Sequence, residues 1–141
     1  MTAKEYLSEI QKKEEQVEDE AYYINQLRDS LISIGAITYM NDRIQCSFDN
    51  DKIGQIVAKL DSEEMKLKKM KEDFCFFRCH VISQIHSIED MTLKQILMLR
   101  YVHWKDYGTL KSVAVGMGYS YKYVRELHIN ALSEFDRIFL Q

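Results

Sequence analysis

Proline is missing from this 141-residue chain and glycine appears only five times. The commonest interruptions of an α-helix are therefore almost absent, and helix is the default expectation for most of the chain. Three cysteines, Cys46, Cys75 and Cys79, are too few and odd in number for a disulfide framework, so free thiols are expected. No stretch approaches the roughly 18 apolar residues of a membrane-spanning helix, and the opening residues MTAKEYLSEIQKKEEQ carry charge where a secretory signal needs an apolar run. These absences predict a cytoplasmic protein. No glycine-rich phosphate cradle and no paired nucleophile and base are present either, so an enzyme is not expected, nor is a cofactor.

What is present is periodicity. Leu7, Ile10, Val17, Ala21, Ile24 and Leu31 recur at steps of three and four, with Glu14 and Arg28 at intermediate seam positions. A second run, Ile53, Ile56, Leu60, Leu67, Met70, Phe74, Phe77, Val81 and Ile88, keeps the same rhythm, with Glu63 and Gln84 as its polar positions. These are heptad seams, and helices of this length with a charged run such as KKEEQVEDE need a partner to cover their apolar stripe. Residues 35–50, which contain Gly35 and several Asn and Asp, lose the period and are expected to connect the two helices, with Asn50 or Asp51 capping the second. The expectation is an all-α protein whose residues 1–88 form a long antiparallel coiled-coil hairpin. Dimerisation through the same seams is the alternative.

Charge is divided unevenly. Residues 91–141 hold seven Lys/Arg against four Asp/Glu, whereas residues 1–90 hold twelve against eighteen. An overall charge of −3 excludes a protein that coats nucleic acid indiscriminately and leaves room for one basic surface near the C-terminus.

That C-terminal segment, residues 89–141, reads as a helix-turn-helix module. Leu93, Ile96, Leu97 and Leu99 give a compact apolar face behind a cap at Thr92; Gly108, in a left-handed conformation, ends that stretch. Thr109 caps a short helix LKSVAVGM, Gly118 ends it, and Ser120 caps the last helix. A helix-turn-helix needs a small residue at the crossing, a glycine in the turn and apolar anchors on the second helix. Ala114, Gly118, Val124 and Leu127 meet these needs, with Val113 and Met117 completing the inner face.

The outward residues are then the readout candidates: Ser120, Tyr121, Lys122, Arg125 and Glu126, with Lys111 nearby. Arg125 has the fork to pair with guanine, Lys122 suits base or phosphate, and the tyrosines offer hydroxyls to phosphate and ring edges to thymine methyls. The backbone amides of Thr109 and Leu110 are candidates for phosphate contact at a helix N-terminus. His128 lies further along the helix and is expected to see DNA backbone at most.

The segment MTLKQILMLRYVHW…VAVGMGYSYKYVRELHINAL resembles the promoter-reading region 4 of bacterial sigma factors. The chain is more similar still to small phage and prophage proteins carrying such a module, related to the ArpU-like late-transcription regulators, through Met1 to Leu7, Asn50 to Leu60 and Gly118 to Leu132. The resemblance implies a transcription regulator that binds double-stranded DNA, with RNA polymerase as a candidate partner. Ser112 departs from the acidic residue usual at its position, and no basic-aromatic segment for promoter melting is present, which speaks against a complete sigma factor. The competing reading from a different class is a phage assembly or packaging adaptor that uses the helical module for protein contacts.

Two further clusters have plain readings. Cys75, Cys79 and His86 share a helix face beside Phe74 and Phe77, where packing is expected in place of a metal site. Glu14, Glu15, Glu18, Asp19 and Glu20 are expected to be a solvated face.

Overall fold

Helix formation follows the spacing of apolar residues along almost the whole chain. The computed structural model describes the backbone of residues 1–40 and 50–140 and the side chains of residues 1–33 and 52–140, and among these residues there is no strand. Six helices follow in order: α1 (Ala3–Met40), α2 (Asn50–His86), α3 (Met91–Leu97), α4 (Trp104–Tyr107), α5 (Leu110–Met117) and α6 (Tyr121–Phe139), with a wide turn at Met98–Val102 between α3 and α4. None among the described residues is long and apolar enough to cross a membrane.

The first helix runs past Gly35 to Met40, so residues 35–40 belong to α1 and not to a connection. A single glycine inside a helix costs only about 1 kcal/mol, too little to end one of 38 residues. The remaining connection, with Cys46, and the side chains of the expected caps Asn50 and Asp51 lie outside the described residues. At the start of α1 the Thr2 amide donates to Glu5 Oε2 at 2.9 Å while the Glu5 amide donates to Thr2 Oγ1 at 3.3 Å. This reciprocal pair satisfies two of the orphan donors of the first turn.

The chain divides into two compact units, residues 1–14 with 73–141, and residues 15–72. In the first unit the ends of α1 and α2 run antiparallel, because Tyr6 donates to Gln84 Oε1 at 2.8 Å whereas Lys13 lies 5.2 Å from the ring of Phe77. Leu7 and Ile10 of α1 and Val81, Ile85 and Ile88 at the α2 end are buried together with Leu97, Tyr101, Val102, Ala131 and Phe135. A second, smaller core joins Ile96 to Val113, Ala114 and Val124, with Leu99, Tyr107, Leu110, Met117 and Leu127 packed around it.

α3 is capped by Asp90, whose Oδ1 accepts from the Thr92 and Leu93 amides at 2.9 and 3.2 Å, so the cap lies two residues before the expected Thr92. Asp90→Ala should cost about 1 kcal/mol of unfolding free energy, read from the urea midpoint, with no change in the fold. Beyond Leu97 the helix widens: the His103 amide bonds to the Met98 carbonyl five residues back at 3.0 Å. In a regular helix residues five apart diverge around the axis, and the wider turn lets Tyr101 and Val102 rejoin the buried side with Ile96 and Leu97. Gly108 is right-handed at φ −70°, contrary to the expected left-handed stop. Its glycine is needed for a different reason, since a Cβ there would come within 2.5 Å of the Trp104 carbonyl oxygen.

Glu14 and Glu20, two acids of the face expected to be solvated, have defined partners. Glu14 accepts the Trp104 indole N–H at 2.7 Å and pairs with Lys105 at 3.4 Å. In the second unit Glu20 lies 3.8 Å from Lys66 Nζ, and Arg28 pairs with Glu64. The Glu20 carboxyl is held above the usual carboxylate range by its hydrogen bond with Glu63, then by burial and by the Glu63 charge, against the pull of Lys66.

Candidate nucleic-acid interface

The geometry of α5 and α6 follows from three short-range features. Thr109 caps α5: its hydroxyl accepts the Ser112 amide at 3.2 Å, and Ser112 Oγ lies 3.3 Å from the Thr109 amide, a reciprocal box in which serine replaces the usual Glu or Gln. Gly118 then ends α5 in the left-handed conformation at φ 74°, the single positive φ among the described residues. No obstacle prevents a side chain there, so backbone conformation alone calls for glycine. Ser120 caps α6 by accepting the Tyr123 amide at 3.2 Å, which occupies one lone pair of its hydroxyl.

The pairing of the two helices separates their side chains into two sets. Val113 and Ala114 of α5 and Val124 of α6 are buried, with Met117 and Leu127 half-buried beside them. Lys111, Ser120, Tyr121, Lys122, Arg125 and Glu126 are all exposed. Thr109 is exposed as well, while Leu110 is half-buried against the small core. The Thr109 amide is engaged by Ser112, which leaves Leu110 as the better of the two phosphate-contact positions, since the first amides of a helix have no partner within it.

The exposed side chains are organised around Tyr121. Lys111 Nζ lies 5.9 Å and Arg125 Cζ 5.7 Å from the centre of its ring. Contacts of this kind contribute about 0.5–1 kcal/mol at exposed sites and restrict where the two cations travel. Beside this group the rings of Tyr119 and Tyr123 meet edge to face, with centroids 5.2 Å apart and planes at 89°. The surface thus carries three tyrosines, 43–46% exposed, among Lys111, Lys122 and Arg125, with Glu126 as the acid at its margin.

His128 does not belong to this surface. It is 8% exposed, and its Nε2 lies 2.8 Å from the hydroxyl of Tyr101, with the two rings stacked at 5.7 Å. Burial, then the charges of Arg100 and Lys4, push the imidazole down to about 4, and burial pushes the Tyr101 hydroxyl up to about 12. Both groups are neutral near pH 7, and the tautomer of the ring sets which of the two donates. The position one turn after Val124 is inward because α6 keeps one face, Val124, His128, Ala131 and Phe135, against the rest of the unit.

The thiols of Cys75 and Cys79 are exposed, and so is His86, which corrects the expectation that they pack. Phe74 and Phe77 face the core while the cysteines fall on the opposite side of α2. Among the described residues no group of three His, Cys, Asp or Glu is placed to hold a metal ion. Two features escaped the sequence reading. Gly116 lets the Tyr107 ring lie against α5, since a Cβ there would come within 2.6 Å of it, and Tyr119 with Tyr123 forms the ring pair described above. The spacing i and i+4 across the Ser120 cap was the available signal for that pair.

The chain matches no family model, no curated protein and no solved structure.

Proposed function

We propose that this protein is a transcription regulator of the phage or prophage type, which binds promoter or operator DNA through a sigma region 4-like helix-turn-helix formed by α5 and α6. The observation that carries the reading is the separation of α5 and α6 into a buried apolar set and an exposed set rich in Lys, Arg and Tyr at the start of α6. The N-terminal end of the second helix is the part that enters a major groove in this motif.

The roles follow from chemistry. Arg125, steadied by Tyr121, presents a bidentate fork to guanine, Glu126 accepts from the cytosine amine, and Lys122 and Lys111 with the Leu110 amide hold phosphates. The long helices α1 and α2 form the coiled-coil hairpin of this reading and provide the surface for a second copy or for RNA polymerase. The protein is non-enzymatic and cytoplasmic on this reading and needs no cofactor.

Selection of bound duplexes from a random pool tests the reading directly. An enriched sequence is expected, and Arg125→Ala should weaken binding to it by about 1–3 kcal/mol while relaxing one base position. Loss of equal size on random DNA would remove base readout from Arg125. Assembly beyond a dimer, with weak binding whose salt dependence is the same for every sequence, would support the assembly-adaptor reading instead.

A further inference from the structure

Beside the cationic readout residues one part of the exposed surface is aromatic. Tyr119 and Tyr123 are 43% and 46% exposed, and their edge-to-face contact at 5.2 Å holds both rings in place. Tyr121, between them in sequence, is turned to Lys111 and Arg125 instead. The surface therefore has two zones, one of charge and one of ring carbon.

The geometry points to the Tyr119 and Tyr123 pair as a reader of the C5-methyl group of a pyrimidine in the major groove. This inference rests on the proposal that α5 and α6 bind duplex DNA. Its chemical basis is that the C5-methyl of thymine is the apolar group on the major-groove edge of an unmodified base pair. Methylation of cytosine at C5 places the same group at the same position. The three cations Lys111, Lys122 and Arg125 beside the rings match a polyanion, which makes duplex DNA the occupant that fits this mixed surface. Rings already held by each other lose little freedom when they meet the methyl, so contact is gained at low entropic cost.

The test uses the full chain and, as probe, the duplex it enriches from a random-sequence pool. Each thymine is replaced in turn by uracil, which removes the methyl and keeps every hydrogen bond. The wild type should lose about fourfold in affinity at one or two positions, the scale of one methyl group. At those positions cytosine and 5-methylcytosine probes are compared as a second arm. A response confined to thymine makes thymine the source of the methyl, and a gain with 5-methylcytosine makes the protein sensitive to DNA methylation as well.

Carrying both Tyr119→Ala and Tyr123→Ala, the chain should bind the thymine and uracil probes equally. Tyr123→Phe, which keeps the ring, should discriminate as the wild type does. If the wild type ignores the uracil exchange, or the double variant still responds to it, the inference is overturned with the DNA-binding reading intact. An empty selection, with no duplex enriched, is a separate failure and removes that reading itself.

Discussion

Acidification from pH 7 to pH 4 should cost the unit built from residues 1–14 and 73–141 about 3 kcal/mol through His128 alone. The imidazole titrates near 6.5 when free and at about 4 in the fold, because burial beside Tyr101 and the charges of Arg100 and Lys4 disfavour its protonated form. The sign follows from proton linkage. Below 6.5 the unfolded chain binds a proton that the folded ring refuses, so stability is complete above 6.5 and drains away as pH falls toward 4. At 1.36 kcal/mol per unit the shift corresponds to roughly 3 kcal/mol, a large share of an ordinary domain's 5–15 kcal/mol. Urea unfolding at pH 7 and pH 4 measures the loss in wild type, and in His128→Gln the loss between the two pH values should be smaller by that amount. The ring proton signals of His128 report the same quantity independently. A titration midpoint near 6.5 would place the ring in solvent and refute the inward packing of α6.

Phe135→Ala should be the most destabilising single truncation in α6, at about 3–5 kcal/mol. Its side chain is fully buried, 5.8 Å from the Tyr6 ring and 4.9 Å from the Phe139 ring between centroids, within the core that also takes Leu7, Ile10, Val81, Ile85 and Ile88. The cavity therefore opens where α1, α2 and α6 meet and cannot be closed by movement of one element. Ile129→Ala, on the exposed side of the same helix, should stay within about 0.5 kcal/mol. Equal shifts in the urea midpoint for the two variants would contradict this placement of α6.

If α5 and α6 bind DNA as proposed, specific binding should fail together with stability in Phe135→Ala near its unfolding midpoint, whereas Arg125→Ala should weaken binding with stability unchanged. Arg125 is exposed and touches the Tyr121 ring alone in the contacts described above, so its removal leaves the two cores whole. The pair of variants thus separates loss of the scaffold from loss of the proposed readout group.

Much of the local structure could be read along the chain, because it depends on residues close in sequence. Heptad spacing placed Leu7, Ile10, Ile24 and Val81 on inward faces, and all are buried. Thr109, Gly118 and Ser120 mark the ends of α5 and α6 through hydrogen bonds and one backbone conformation reaching no further than three or four residues. Local rules misled where two were in balance. At Gly35 the helical continuity of α1 outweighed one flexible residue, and at the start of α3 the carboxylate of Asp90 took the amides that Thr92 was expected to serve.

An all-helical protein, the period of its long helices and the stops around the short ones were determined by the sequence by itself, since propensity, capping and periodicity act within a turn or two. Tertiary structure decided which residues share a core. It brought the first two turns of α1 to Phe135, buried His128 against Tyr101, turned Glu14 to the Trp104 indole and set Cys75 and Cys79 toward solvent. Those outcomes depend on helices far apart in sequence excluding water from one another, and on a five-residue wide turn after α3 that shifts its inward face. Periodicity names the face of each helix, whereas only packing says what that face meets.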